Sequence, residues 1–195
     1  MKKAIYKGTI FLFIANCLLP TSSFSQGTRI WATYYGETGE ENNINVATDA
    51  SGNVYLAGYT DSSSGIASGG FQNTYGGGSQ DVFFVKFNAA GTRQWATYYG
   101  GTGDDYVTGV ISDASGNVYL TGRTPSTTGI ASGGFQNTYG GGGTYDAFLV
   151  KFNAVGARQW ATYYGVGNDE FALCVSTDAS GNVYMGGYTE STSGI

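Results

Sequence analysis

One block of sequence returns at a nearly constant spacing, and this internal repeat constrains the fold more than any other feature. The hexapeptide WATYYG occurs three times, at spacings of 64 and then 65 residues, and the heptapeptide DASGNVY occurs three times at the same spacings. Their first residues are Trp31, Trp95, Trp160, Asp49, Asp113 and Asp178. A period of this length indicates one small structural unit that packs against copies of itself.

Each unit is predicted to consist of four short β-strands. The chain has 33 glycines, 16 tyrosines and 12% charged residues, a composition that favours strands and tight turns over helices. The strands predicted in the second unit are 107–112, 118–123, 147–153 and 158–164. Asp113 is predicted to accept N–H groups of the first hairpin turn, and Gly116 to adopt a positive φ there. The predicted structural repeat positions are Trp31, Trp95, Trp160, Gly52, Gly116 and Gly181.

The third strand of each unit is apolar on both faces. In the first unit Phe83 and Val85 point to one face, while Val82 and Phe84 point to the other. A sandwich strand with one wet face would alternate, whereas a propeller blade is covered on both faces by neighbouring blades. The predicted fold class is therefore all-β, a β-propeller of four-stranded blades, here an incomplete arc of about two and a half blades.

The predicted domain boundaries follow the repeat across residues 26–195. An orphan outer strand at 29–36 is followed by unit one at 37–100, unit two at 101–165 and a partial unit three at 166–195. Closed propellers have about four to eight blades, so we expect the chain to be the N-terminal fragment of a longer product. The remaining blades of that product are then its first expected partner, and the orphan strand is expected to pair with the last blade.

Residues 1–25 are predicted to be a signal peptide. Three lysines form a basic start, and residues 10–19 form an apolar stretch that is too short to span a bilayer. Cleavage is expected ahead of Gln26. No later stretch is long and apolar enough for a transmembrane segment, so the predicted location is extracellular or at the cell surface.

Loss of this leader makes the chain more acidic. Three of the nine basic residues leave, so six basic residues face fourteen acids and the net charge becomes −8. Nucleic acid and anionic membranes are therefore not expected partners. Cys174 is then the sole cysteine of the mature sequence, and its apolar neighbours predict a small buried hydrophobe.

Three motifs resemble the SBBP family, the β-propeller repeats of bacterial exported proteins. They are the GGTGDD turn at 100–105, the DASGNVYLTG hairpin at 113–122 and the DAFLVKF strand at 146–152. The resemblance covers nearly all of residues 28–195, with departures at Glu37, Val166, Glu40, Glu41 and Glu170. It implies a propeller outside the cell or at its surface, and it implies no defined activity.

The sequence excludes several catalytic chemistries. Histidine is absent, which excludes Ser-His-Asp and Cys-His catalysis and histidine-ligated zinc. Neither Lys86 nor Lys151 follows a glycine, as a P-loop requires. Acidic pairs do recur where one unit passes to the next, at Glu40/Glu41, Asp104/Asp105 and Asp169/Glu170. A ring of such pairs could hold a cation or act as acid and base, but recurrence favours turn capping because a catalytic pair is needed only once.

The sequence predicts that the protein has no cofactor, and the alternative is bound calcium. The DASGN turns place oxygen side chains at a spacing that is similar to the start of a calcium loop. However, Gly52 is fourth and Thr60 twelfth, where an EF-hand needs glycine sixth and glutamate twelfth. The candidate metal ligands are Asp49, Asp113, Asp178, Asp104 and Asp105.

The sequence predicts a non-enzymatic scaffold or binding module for an extracellular protein or carbohydrate. The aromatic residues of WATYYG are predicted to pack between blades, and the long loops 60–80 and 124–145 to carry recognition. Ile130 and Phe135 are expected to pin the second loop. The alternative is a lyase or glycosidase with its site at the channel mouth, and its signature would be a polar residue that is not repeated. Arg123 is the nearest example, since the other units have tyrosine there.

Overall fold

The computed structural model describes residues 10–15 and 29–194, and all regular elements within them are β-strands. The strands are β1 (Ile10–Ala15), β2 (Arg29–Tyr35), β3 (Glu41–Thr48), β4 (Val54–Thr60), β5 (Asp81–Phe87), β6 (Arg93–Tyr99), β7 (Tyr106–Ser112), β8 (Val118–Thr124), β9 (Asp146–Phe152), β10 (Arg158–Tyr164), β11 (Glu170–Thr177) and β12 (Val183–Thr189). In these ranges there is no helix with the length and hydropathy needed to cross a bilayer.

The strands form sheets that follow the repeat. β3 to β6 make one antiparallel four-stranded sheet in chain order, β7 to β10 make a second, and β11 pairs with β12. These sheets are consecutive propeller blades, and the arc that they form is open. The predicted fold class is therefore confirmed.

The hairpin between the first two strands of each unit is built by its aspartate and glycine. Asp113 Oδ1 accepts the backbone N–H of Ser115 and of Asn117, both at 2.9 Å. Gly116 has a φ of 76°, which a side chain would strain. The same turn occurs after β3 and after β11, so identical local sequence gives identical local structure.

The innermost strands of successive units lie side by side. Ser112 Oγ on β7 donates to the carbonyl of Thr48 on β3 at 2.8 Å. Thr108 Oγ1, also on β7, donates to the carbonyl of Ala172 on β11 at 2.8 Å. Each unit thus packs against the next through its first strand, as blades do around an axis.

The core lies on both faces of the first four-stranded sheet. On one face Phe84 contacts Phe152 of unit two, with ring centroids 5.4 Å apart. On the other face Phe83 contacts Tyr35 of β2 at 5.7 Å. Every residue of β5 is buried. The two-sided burial that the sequence predicts is therefore present.

β2 occupies the place of a fourth strand ahead of unit one. The hydroxyl of Tyr35 donates to the carbonyl of Ile66 at 2.8 Å, just as the hydroxyl of Tyr99 on β6 donates to the carbonyl of Ile130 at 2.8 Å. β2 pairs antiparallel with β1, which lies inside the predicted signal peptide. Cleavage ahead of Gln26 would remove that pairing, so both the cleavage and the predicted pairing with a last blade stay predictions.

Two predictions about side-chain burial are wrong. Cys174 is exposed, and Phe135 is 89% exposed. At the equivalent positions of the preceding unit, Gly109 faces β11 and the ring of Phe71 lies 6.2 Å from that of Phe152. The following unit buries Gly109, and the described residues supply no such unit for Cys174, whereas Phe71 stays 40% exposed even beside unit two.

Candidate functional site

The turns between units and the long loops within units meet at one end of the blades. β8 and β10 end there, and β7 and β9 begin there. This end, which we call the loop end, therefore carries the inter-unit turn 100–105, the loop 125–145, the acidic pairs and Arg123. The DASGN turns lie at the opposite end of the blades.

The second acid of each pair is buried in a hydroxyl network. Asp105 is fully buried and accepts hydrogen bonds from Thr124 Oγ1, from Ser126 Oγ at 3.0 Å and from the N–H of Gly101 at 2.7 Å. Ser126 Oγ in turn accepts the N–H of Gly103 at 2.9 Å. This network ties the inter-unit turn to the end of β8.

The same network is built in the other two units. Glu41 accepts from Thr60 at 3.0 Å and from Ser62 at 3.1 Å. Glu170 accepts from Thr189 at 2.8 Å. The hydroxyl partners of these acids were not predicted, although the sequence contains a signal for them. The pattern Thr-x-Ser recurs at residues 60–62, 124–126 and 189–191, with the same spacing as the acids.

In the second and third pairs the first acid points towards a loop. Asp104 Oδ1 accepts the N–H of Ser79 at 2.5 Å, and Asp169 Oδ1 accepts the N–H of Tyr145 at 3.0 Å. These bonds join the end of each long loop to the turn that starts the next unit. Both members of these two pairs therefore hold backbone in place, whereas Glu40 is exposed and its Oε2 accepts the side-chain amide of Asn42 at 3.4 Å.

A third carboxylate, which the sequence did not single out, faces two of the buried acids, Asp105 and Glu170. Asp81 begins β5 and is buried. Its Oδ2 accepts the N–H of Gly76 at 2.5 Å, while its Oδ1 has no partner among the described residues. A Cβ at Gly100 would collide with both Asp81 Oδ1 and Asp105 Oδ2, so the two carboxylates face each other across this glycine.

Unit two repeats this arrangement, and burial shifts the pKa of the acids involved. Asp146 faces Glu170 across Gly165, and Asp146 Oδ1 also lacks a partner within residues 29–194. Burial raises the pKa of Asp81 to about 7, with the nearby charge of Asp105 acting in the same direction. Burial raises the pKa of Asp146 to about 6. Burial also raises the pKa of Asp105 to about 6. The folded chain therefore binds protons at these carboxyl groups at a higher pH than free aspartate does.

The aspartates of the DASGN turns are occupied by the turn itself. Besides two backbone N–H groups, Asp113 accepts the amide of Asn117 at 2.7 Å and the hydroxyl of Tyr119 at 3.1 Å through Oδ2. Among the described residues there is no group of three or more acidic or cysteine side chains that could hold a metal ion. The calcium alternative stays a prediction.

The tryptophan of the repeat packs between units. Trp95 is 5% exposed and meets Phe84 edge to face, with ring centroids 4.9 Å apart. Its Nε1 donates to the carbonyl of Ala154 in unit two at 3.4 Å. Trp31 and Trp160 are half-buried, and the glycines at 52, 116 and 181 all have a positive φ.

Arg123 differs from these repeated groups because its guanidinium lies among aromatic rings. Its Cζ lies 4.9 Å from the ring centre of Tyr106, 5.2 Å from that of Tyr145 and 5.3 Å from that of Phe171. Arg123 is half-buried, and its Nε is buried with no hydrogen-bond partner among the described residues. The sequence indicated Arg123 but not these rings, although Tyr106 and Phe171 share one repeat position.

A groove of about 480 Å³ lies beside β12 and is lined by Leu149, Phe171 and Met185 among others. In unit two the corresponding space is filled by β9, whose Phe148 packs on Tyr99 at 5.4 Å. The groove thus lies at the position that β9 fills in unit two.

The blades, their shared networks and their inter-unit packing define a repeat β-propeller protein. Residues 30–65 and 94–129 match the family model of the SBBP beta-propeller repeat, which confirms the resemblance seen in the motifs. An uncharacterized WD repeat-containing protein of Acanthamoeba polyphaga mimivirus is 24% identical over 186 residues, which cover 82% of this chain and 13% of that protein. The chain thus spans a small part of the length of that relative.

Proposed function

We propose that this chain is a secreted or cell-surface binding module without enzymatic activity, and that it binds a protein or carbohydrate ligand at the loop end. Two findings support the binding role: the SBBP repeats and the similarity to a WD repeat-containing protein, since repeat propellers of both kinds are usually non-enzymatic. Loops on a rigid scaffold commonly carry recognition, and the loop end combines such loops with exposed aromatic groups.

One observation carries the proposal: the buried acid of each recurring pair is hydrogen-bonded within the fold. A general acid or base must lie within hydrogen-bond reach of a substrate. Asp105 and Glu170 are buried and bonded to hydroxyl groups of their own unit. The buried acid of each pair is thus unsuited to proton transfer with a bound ligand, whereas the loops and Arg123 remain accessible.

Secretion is tested by expressing the full chain with its own N-terminus in a Gram-negative bacterium. We expect the protein in the periplasm or medium, with a mass that corresponds to a chain beginning at Gln26. A cytoplasmic product that retains Met1 would contradict the proposed export.

Binding is tested with the purified chain by calorimetry against soluble extracellular polysaccharides and matrix proteins. The same mixtures are assayed for new reducing ends and for unsaturated sugar products. We expect binding without product. Product formation would replace the proposal by the glycosidase or lyase alternative, and a lack of binding across the whole panel would contradict the binding function.

A further inference from the structure

We propose that Arg123 and the rings around it recognise a sugar that carries one carboxylate, such as a hexuronate at the end of a glycan. This inference rests on the proposed binding function and specifies the ligand class. The site lies at the loop end between units two and three, where Tyr106 belongs to β7 and Phe171 to β11.

The guanidinium is held in place yet incompletely bonded. Three rings surround its Cζ at 4.9 to 5.3 Å, which fixes the side chain. Its Nε is buried without an acceptor in residues 29–194. A ligand cannot reach a buried atom, but Arg123 makes no side-chain hydrogen bond within residues 29–194, so its terminal guanidinium nitrogens are left to bond a carboxylate.

Blade geometry does not require an arginine at this position. Units one and three have Tyr59 and Tyr188 here. Tyr59 packs edge to face on Tyr106 at 4.9 Å, and Tyr188 stacks on Phe171 at 4.8 Å. A tyrosine ring therefore satisfies the packing, and the charge of Arg123 is an addition that the repeat does not explain.

The chemistry of the site favours a single carboxylate. A guanidinium presents parallel N–H groups that match the two oxygens of a carboxylate. Although the chain is acidic, no ion pair joins Arg123 to an acid in the part of the chain that the structure describes. Asp104 Oδ1 instead accepts the N–H of Ser79. Arg123 supplies one positive charge on a mature chain whose net charge is −8. Such a site suits a ligand with one negative charge better than a polyanion, because the rest of the chain repels negative charge.

Flat aromatic faces beside the guanidinium favour a sugar as the carrier of that carboxylate. The rings of Tyr106 and Tyr145 flank the guanidinium, and both are half-buried, so part of each ring stays accessible at the loop end. A sugar ring can lay its apolar C–H face on such a surface while its carboxylate reaches Arg123.

The experiment compares methyl β-glucuronide with methyl β-glucoside, which differ at the carboxylate, by saturation-transfer NMR on the full chain. We expect the glucuronide to bind and the glucoside to bind at least about tenfold more weakly, because a charge-assisted hydrogen bond is lost. Equal binding of the two sugars would overturn the inference.

Variants test the role of Arg123 directly. Arg123→Tyr places the residue of the other two units at this position, so we expect its thermal midpoint to stay close to that of the wild type. Its affinity for the glucuronide should fall about tenfold or more. Arg29→Gln removes the same charge from an exposed position on β2 and should leave the affinity unchanged.

The outcomes separate this inference from the proposed function. If Arg123→Tyr binds the glucuronide as the wild type does, or if an acetylated glutamyl peptide binds more tightly than the glucuronide, the inference is wrong. In either case the chain can still bind other ligands of the panel described above. Failure of every ligand in that panel would instead contradict the binding function itself.

Discussion

Asp81 and Asp146 are buried carboxyl groups whose pKa the fold raises. Each begins the central strand of its blade, and each leaves one buried oxygen without a partner within residues 29–194. Their neighbours Asp104 and Asp169 differ, because each accepts a hydrogen bond from a loop N–H group. Position within the unit thus decides whether a carboxylate bonds a loop or keeps one buried oxygen without a partner.

The raised pKa of Asp81 predicts how the stability of the fold depends on pH. Burial raises the pKa of Asp81 from 3.8 to about 7, so between these values the folded chain binds a proton that the unfolded chain releases. The free energy of unfolding therefore falls as the pH rises through this window. We expect a higher thermal midpoint at pH 5 than at pH 8, measured by calorimetry.

Asp81→Asn tests the assignment, because asparagine resembles the protonated acid. The variant should raise the thermal midpoint at pH 8 and reduce the difference between pH 8 and pH 5. Asp146→Asn, the matched change in unit two, should act in the same direction. If Asp81→Asn destabilises the protein equally at both pH values, Asp81 is charged in the fold and the account of the facing pair is wrong.

Asp113→Ala is predicted to destabilise the second unit without any involvement of calcium. The change removes four hydrogen bonds to the Asp113 carboxylate, and we expect a loss of about 2 kcal/mol in urea unfolding. Adding calcium should leave the thermal midpoint of the wild type unchanged. A midpoint that rises with calcium in the wild type but not in Asp113→Ala would establish a metal site at this turn.

At the scale of the strands, local pattern was sufficient to predict most of each unit. Alternation and turn residues placed the hairpin that joins β7 and β8, because Asp113 and Gly116 act within a few residues of themselves. The partners of Asp105 were not predicted, since Thr124 and Ser126 are 19 and 21 residues away and meet it only where β8 ends beside the inter-unit turn.

The inner hairpin of each unit also depends on a glycine opposite its bulge. The register between β7 and β8 shifts between Val107 and Gly109, and a Cβ at Gly122 would collide with the carbonyl of Tyr106 and lie 2.8 Å from the ring of Phe148. We therefore expect Gly122→Ala to lower the free energy of unfolding by about 3 kcal/mol.

Gly141→Ala is the control for this effect. Gly141 has a φ of 76°, but a Cβ at this position would meet no atom within 4 Å, so only backbone strain applies and we expect a loss of about 1 kcal/mol. Urea unfolding of both variants gives the comparison. Equal losses would show that the close approach at Gly122 does not limit the packing of the inner hairpin.

At the scale of the whole molecule, burial depends on neighbouring units. Cys174 was predicted to be buried from the residues around it, but the structure exposes it because this position is covered only by a neighbouring unit, as Gly109 is in unit two. The rings around Arg123 likewise include Phe171 from the following unit. The sequence of a single unit therefore predicts its strands and turns. The buried surfaces and the candidate binding site depend on how the units pack together.

The central claim is that successive units pack around an axis, and three distances test it most directly. Ala50, Ala114 and Ala179 are exposed and occupy the same position in the DASGN turns of the three units. Spin labels are attached to pairs of cysteines at these positions, with Cys17 and Cys174 replaced by serine, and distances are measured by double electron–electron resonance. We predict equal distances for 50–114 and 114–179, and a 50–179 distance clearly shorter than their sum. A 50–179 distance equal to that sum would indicate a linear stack, and broad distributions would indicate separate units; either result would contradict the propeller.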